Sequence, residues 1–222
     1  GGQTEKVAIV GMSGRWPGIA ESANSELIFR FLKNRETSEG LLDPELVRGF
    51  DCEYWNIPQM SATKLDPHQR MFLEMAKEAL IDAGYCHGVD SCGVFASGGS
   101  LSHYLEMLAD NLDEIREKDP AKYLDLEIGC DKDYVALRVA KLLNLTGPAM
   151  TVQAACASSL VAVAQAAAAI RSGECSLAIA GGISLALSAG GQAGHVAGLI
   201  WSKDGKCRPF DDQATGTVNS NA

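Results

Sequence analysis

The 222-residue sequence has no excess of positive charge: 19 Lys+Arg stand against 28 Asp+Glu, a formal net charge of −9. Gripping nucleic acid or an anionic membrane needs a basic face, so neither partner is expected. No Cys-x-x-Cys pair occurs among the seven cysteines, and the nearest cluster (Cys86, His87, Cys92) has poor zinc spacing, so no metal site is expected. An odd number of cysteines cannot all pair. The opening Gly1-Gly2-Gln3-Thr4-Glu5-Lys6 is not a charged leader followed by an apolar block. Free thiols in a reducing, cytoplasmic compartment are the expectation. The least polar run, Leu160 to Ile170, is 11 residues long, with Gln165 inside it and Arg171 ending it. A membrane span needs about 20, so a soluble protein is expected. There is no internal repeat and no low-complexity linker. What remains is a globular composition, 46% hydrophobic and 21% charged, long enough for one well-buried domain or two small ones.

The order of segments indicates an α/β domain with a mostly parallel sheet. Lys6 to Val10 reads as a buried strand ending at Gly11. Asp66-Pro67-His68-Gln69 opens a helix, with Asp66 as N-cap, Pro67 first, and Gln69 closing a capping box. Apolar residues then recur at helical spacing from Met71 to Ala83, and Gly84 stops the pattern. Cys92 to Ala96 reads as a second strand, Ser100 to Leu126 as charged helix or loop, and Lys132 to Leu143 as a helix. Ala149 to Gln153 is a short strand running into Ala157 to Ile170, apolar nearly all round and expected to be buried on every side. Gly173 ends that helix, and Ser176 to Ala180 is a further strand closed by Gly181-Gly182.

Cys156 lies where the short strand meets the apolar helix. At a helix N-terminus the unpaired N–H groups and the dipole favour the thiolate, and a sharp strand-to-helix turn exposes the side chain. No G-x-S-x-G occurs. Cys92, Cys130 and Cys175 read as packed core. A thiol nucleophile wants a histidine partner, yet His68 sits in a helix first turn, His87 and His103 in loop-like segments, and His195 in a glycine-rich stretch; none is convincing. Gly11-Met12-Ser13-Gly14 is not G-x-G-x-x-G and is followed by Arg15-Trp16-Pro17 where a nucleotide site needs a helix. Lys203, Lys206 and Arg208 form a small basic cluster able to steer an acidic protein.

Five motifs in order make the sequence recognisable. Val7-Ala8-Ile9-Val10-Gly11-Met12-Ser13-Gly14-Arg15-Trp16-Pro17-Gly18 resembles the opening of β-ketoacyl synthase domains of modular polyketide synthases. Leu65-Asp66-Pro67-His68-Gln69-Arg70 looks like their D-P-Q-Q-R, and Asp131-Lys132-Asp133-Tyr134 like their D-K-D-Y. Ala155-Cys156-Ala157-Ser158-Ser159-Leu160 resembles the nucleophile motif A-C-S-S-S-L, with Ala157 for the first Ser. Asp204-Gly205-Lys206-Cys207-Arg208-Pro209-Phe210-Asp211 is similar to D-G-R-C-K-x-F-D. Gln153-Ala154 stands where the family usually has Asp-Thr, and the segment from Glu26 to Phe50 is shorter than the family's.

The resemblance implies a thiolase-like fold of α-β-α-β-α layers, of which 1–222 is the N-terminal half, incomplete at its C-terminus. It implies a homodimer, and Cys156 as the acyl-accepting nucleophile. The acyl chain would come from the phosphopantetheine arm of an acyl carrier protein, with no cofactor in the chain itself. Condensation with a decarboxylated malonyl-type unit would give a β-ketoacyl thioester. The two histidines of that chemistry belong to the C-terminal half, so this segment alone is expected to be inactive. A non-elongating synthase, which keeps the cysteine but lacks a histidine, is the alternative; a catalytically silent partner typically lacks the cysteine.

Overall fold

The computed structural model describes residues 6–17, 42–86, 89–98, 102–108, 111–185, 187, 200–208 and 210–218. Helices α1 (Pro44–Arg48), α2 (Gln59–Ala62) and α3 (Pro67–Asp82) precede strand β1 (Cys92–Gly98). Then come α4 (Ser102–Leu108), α5 (Leu112–Lys118), α6 (Pro120–Cys130), α7 (Tyr134–Leu142) and β2 (Ala149–Thr151). A 3₁₀ turn (Ala155–Ala157), α8 (Ser158–Ser172) and β3 (Leu177–Ile183) follow. The sheet order is β2-β1-β3, all parallel, with Val94 beside Ala149 and Cys92 beside Leu177.

Period-2 alternation along β1 divides the core between two faces. Cys92, Val94 and Ala96 pack with Met71, Phe72, Leu73, Ala76 and Leu80 of α3 and Val135, Ala136 and Val139 of α7. Phe95 points the other way, to Ala162, Ala166 and Ala169 of α8. The result is three layers, helix on sheet on helix, with β1 buried at the centre. Leu73 is fully buried, a contribution of about 2 kcal/mol from that side chain.

Several expectations hold and several do not. The α3, α7, α8 and β1 segments form as read, and Gly173 ends α8 at φ 77°, a left-handed cap that favours glycine. Residues 6–10 do not form a strand; Ile9 and Val10 are exposed. Both edges of β1 are already taken, and a cavity of about 640 Å³ separates residues 7–16 from β3, so no ladder is within reach. The segment is instead fastened to α3 by polar groups: Arg15 donates to both carboxylate oxygens of Glu78, Ser13 Oγ donates to Glu78 at 2.6 Å, and Met12 N–H donates to Asp82 at 2.9 Å.

Gln69 does not close a capping box. Asp66 N–H donates to Gly129 O, while the Gln69 amide bonds Ile128 O and Asp131 O and accepts from Arg138 Nε. Gly181 and Gly182 lie inside β3 rather than closing it. Nor is α8 buried all round: Ser158, Ala162, Ala166 and Ala169 form its buried stripe, while Leu160 and Val163 stand exposed at 75% and 44%. Apolar residues all round a helix show that it avoids water, but not which neighbour covers each side. The helical stretch Ala155–Ser172 is long and apolar enough, by length and composition, to cross a membrane. In this fold one side of it packs on the sheet.

Candidate active site

The centre of interest is the join between β2 and α8. Val152 N–H donates to Ala96 O, carrying the β2 ladder one residue further, and Gln153 Nε2 reaches Gly98 O at 3.1 Å. The chain then turns sharply. Ala154 has φ −143°, while Ala155 has φ 48°, the left-handed region that a residue with a Cβ adopts only when its surroundings enforce it. Cys156 sits in the middle of the 3₁₀ turn that results, exposed, immediately before α8.

Three contacts shape this join. Ser158 Oγ accepts from Ala154 N–H at 2.7 Å and donates to Ala155 O at 2.7 Å. Thr151 Oγ1 donates to Lys132 O at 3.1 Å, so the Asp131–Tyr134 motif brackets the end of β2. Beneath the helix start lies Gly182 of β3; a Cβ there would meet Ser97 Oγ at 2.4 Å and Ser159 Cβ at 3.1 Å. Only glycine lets the strand pass this close under the turn.

The other thiols differ in kind. Cys92, Cys130 and Cys175 are buried, as their sequence context suggested. Burial, with the nearby Cys175 and against a backbone hydrogen bond from Ile179, pushes the Cys92 thiol up to about 11. Burial and then Asp66 push Cys130 up to about 12, and burial raises Cys175. Those sulfurs are held as thiols. Cys86 is exposed but stands in a loop beyond α3, without an adjoining helix start.

No histidine approaches Cys156 among the described residues. His68 is fully internal: Leu185 N–H donates to Nε2 at 3.0 Å, which assigns the ring proton to Nδ1, 2.6 Å from Asp66 Oδ1. Asp66 Oδ2 is buried without a hydrogen-bond partner among the described residues. His103 lies on α4, though its side chain is outside the described residues, as are His87 and His195 altogether. Among the described residues no group of three or more His, Cys, Asp or Glu could hold a metal. In the basic cluster, Arg208 is paired with Asp204 at 2.7 Å, and Asp204 is held low by Arg208, Ser202 and Thr215; Lys203 and Lys206 are exposed. The 640 Å³ cavity lies elsewhere, between residues 7–16, α3, α8 and β3, and no cysteine lines it.

Sequence reasoning placed Cys156 at the join of strand and helix, where the structure has it, but missed the hydroxyl of Ser158 and the left-handed Ala155. The run Ala154-Ala155-Cys156-Ala157-Ser158-Ser159 shows six small residues, with nothing to mark which one holds the turn.

The profile described as "Beta-ketoacyl synthase, N-terminal domain" matches residues 30–222. Among curated relatives, a phenolphthiocerol/phthiocerol polyketide synthase of Mycobacterium tuberculosis is 34% identical over 96% of this chain and 16% of its own length. The 6-methylsalicylic acid synthase of Aspergillus niger is 34% identical over 95% of this chain and 13% of its own. Among solved structures, ketosynthase twelve of the bacillaene polyketide synthase of Bacillus amyloliquefaciens superposes with a TM-score of 0.80 at 26% identity, covering 96% of this chain and 39% of that one. The module 6 ketosynthase of the bacillaene synthase of Bacillus subtilis 168 gives 0.73 at 28%, covering 96% and 37%. The chain thus spans about two fifths of the solved ketosynthases and a small fraction of the curated synthases it matches.

Proposed function

The chain belongs to the β-ketoacyl synthase family, as the N-terminal part of a thiolase-like ketosynthase of a polyketide synthase, and from that premise we propose that Cys156 is its acyl-accepting nucleophile. The observation that carries this reading is the exposed sulfur on a strained turn at the start of a helix, while the other thiols near the core are buried.

The Cys156 thiolate attacks the carbonyl carbon of an acyl thioester carried on the phosphopantetheine arm of an acyl carrier protein. The carbonyl π electrons move to oxygen, and the Cys156 N–H, freed at the helix start, can donate to that oxyanion. Collapse restores the carbonyl and expels the carrier sulfur, which takes up a proton. The acyl group is then a thioester on Cys156. In the complete domain, residues outside this chain would decarboxylate a malonyl-type unit with release of CO2, and the resulting carbanion would attack the Cys156 thioester and expel the Cys156 thiolate, leaving a β-ketoacyl chain on the carrier. The segment by itself supplies the nucleophile and not the histidines. We place the complete enzyme in the cytoplasm as a homodimer, with Lys203 and Lys206 as the basic groups that meet the acidic carrier.

Incubating the complete domain with an acyl-N-acetylcysteamine thioester and mapping the adduct by mass spectrometry tests the assignment. The adduct is expected on Cys156 and absent after Cys156→Ala. An adduct on another cysteine would defeat it.

A further inference from the structure

We propose that Ser158 is a positioning residue for Cys156: its hydroxyl clamps the peptide groups of Ala154 and Ala155 and so holds the turn that presents the sulfur. This rests on the reading of Cys156 as the nucleophile. The side chain of Ser158 is buried, and both of its 2.7 Å hydrogen bonds stay within the turn, one accepted from Ala154 N–H and one donated to Ala155 O. Between them lies the left-handed Ala155. A backbone in that region persists only where its surroundings over-determine it. The other hydrogen bonds of the turn, Ala157 N–H to Ala154 O at 3.1 Å and Ser158 N–H to Ala155 O, are backbone to backbone. No side chain caps α8, since Ala157 stands at its N-cap. Ser158 is therefore the side chain on which the geometry depends. Without its hydroxyl, Ala155 relaxes toward negative φ, and the thiol of the next residue swings with it.

The test uses the complete ketosynthase domain and two probes, iodoacetamide and an acyl-N-acetylcysteamine thioester, with labelling read cysteine by cysteine. Small displacements of a reacting group are worth up to about a hundredfold in rate, and Ser158→Ala is expected to slow labelling of Cys156 by about tenfold with both probes. Exposed Cys86 is the internal standard and keeps its rate, while Cys92, Cys130 and Cys175 stay protected if the fold is intact. Ser158→Thr, which keeps the hydroxyl, returns the Cys156 rate to within about threefold of the parent. Ala155→Gly combined with Ser158→Ala recovers part of the loss, because glycine adopts the left-handed conformation unaided.

Parent-like labelling of Cys156 in a folded Ser158→Ala domain overturns the proposal. So does a folded Ser158→Thr domain as slow as the alanine variant. Should Ser158→Ala unfold, exposing the three buried thiols, the threonine variant alone decides. If the parent takes alkyl label on Cys156 but no acyl group, the nucleophile reading fails, while the alkylation arm still judges Ser158.

Discussion

Around Cys156, identity and environment act together at the level of single residues. Gln153, where the family usually has Asp, donates its amide N–H to Gly98 O; a carboxylate has no donor for that carbonyl. Ala155 is held at φ 48°, a conformation that disfavours L-residues by about 1–2 kcal/mol. Ala155→Gly is therefore expected to raise domain stability by about 1 kcal/mol, read as a higher denaturant midpoint with an unchanged m-value. Glu74 on α3 is a second case. Burial raises its carboxyl, partly opposed by Arg15 and reinforced by Glu78. A raised native value means the unfolded chain gives up that proton more readily, so ionised Glu74 destabilises at neutral pH. The penalty is full above the raised value and vanishes below the ordinary carboxylate range. Glu74→Gln should raise Tm at pH 7, with a gain that shrinks as the pH is lowered through that range; an equal gain at every pH would contradict this. Neither Ala155 nor Glu74 is distinctive in the sequence, because φ and burial are imposed by the neighbours.

The start of α3 shows at the level of an element what a motif can mean. Asp66, His68, Gln69 and Arg70 are all buried; Asp66 Oδ1 holds His68, and the other three each bond backbone outside the motif. Arg70 binds Leu65 O and Arg48 O, Gln69 ties α3 to α6 and α7, and His68 reaches Leu185 just beyond β3. The motif braces the fold from inside. Removing one partner strands the other in the core, at about 1–3 kcal/mol for each buried group left unsatisfied. Gln69→Leu, which leaves Arg138 Nε without its acceptor and takes one donor each from Ile128 O and Asp131 O, should lower the thermal midpoint, and His68→Ala should do so through Leu185 N–H and Asp66. Wild-type-like melting in either variant would show that water takes over these groups. The helix itself was legible from Asp66-Pro67 and its apolar repeat. Its bracing was not, since His68 and Leu185 are 117 residues apart and no periodicity links them. β2 and β3 were legible from short apolar runs, whereas 6–10 has the same look but pairs with no strand among the described residues.

For the whole molecule, three layers account for two of the helix faces and leave one uncovered. The sheet side of α8 is packed, and Leu160, Val163 and, nearby on β2, Met150 face outward. The 222-residue chain by itself is expected to bind 8-anilinonaphthalene-1-sulfonate with strong fluorescence, and Leu160→Gln should reduce the signal substantially. Equal fluorescence from that variant would place the dye elsewhere, for instance in the apolar cavity beside residues 7–16, which Leu160 does not line. The charge pattern makes its own prediction at this scale. With Arg208 engaged by Asp204, reversing Lys203 and Lys206 should weaken carrier-protein association in low salt and matter less in high salt. Affinity that does not change would remove those lysines from the docking surface. The family and the α/β architecture could be read from motifs in order; which surfaces stay open could not, since exposure is a property of the assembled layers.

The central place of β1 also governs how the molecule must be assembled in time. Its two neighbours join it across chain separations of 55 and 85 residues, so no part of this sheet can zip up locally. Such high contact order belongs to chains that collapse in microseconds yet reach their native pairing over milliseconds to seconds. Once locked between both partners, the amides of Val94 and Ala96 should be among the last to trade hydrogen for deuterium.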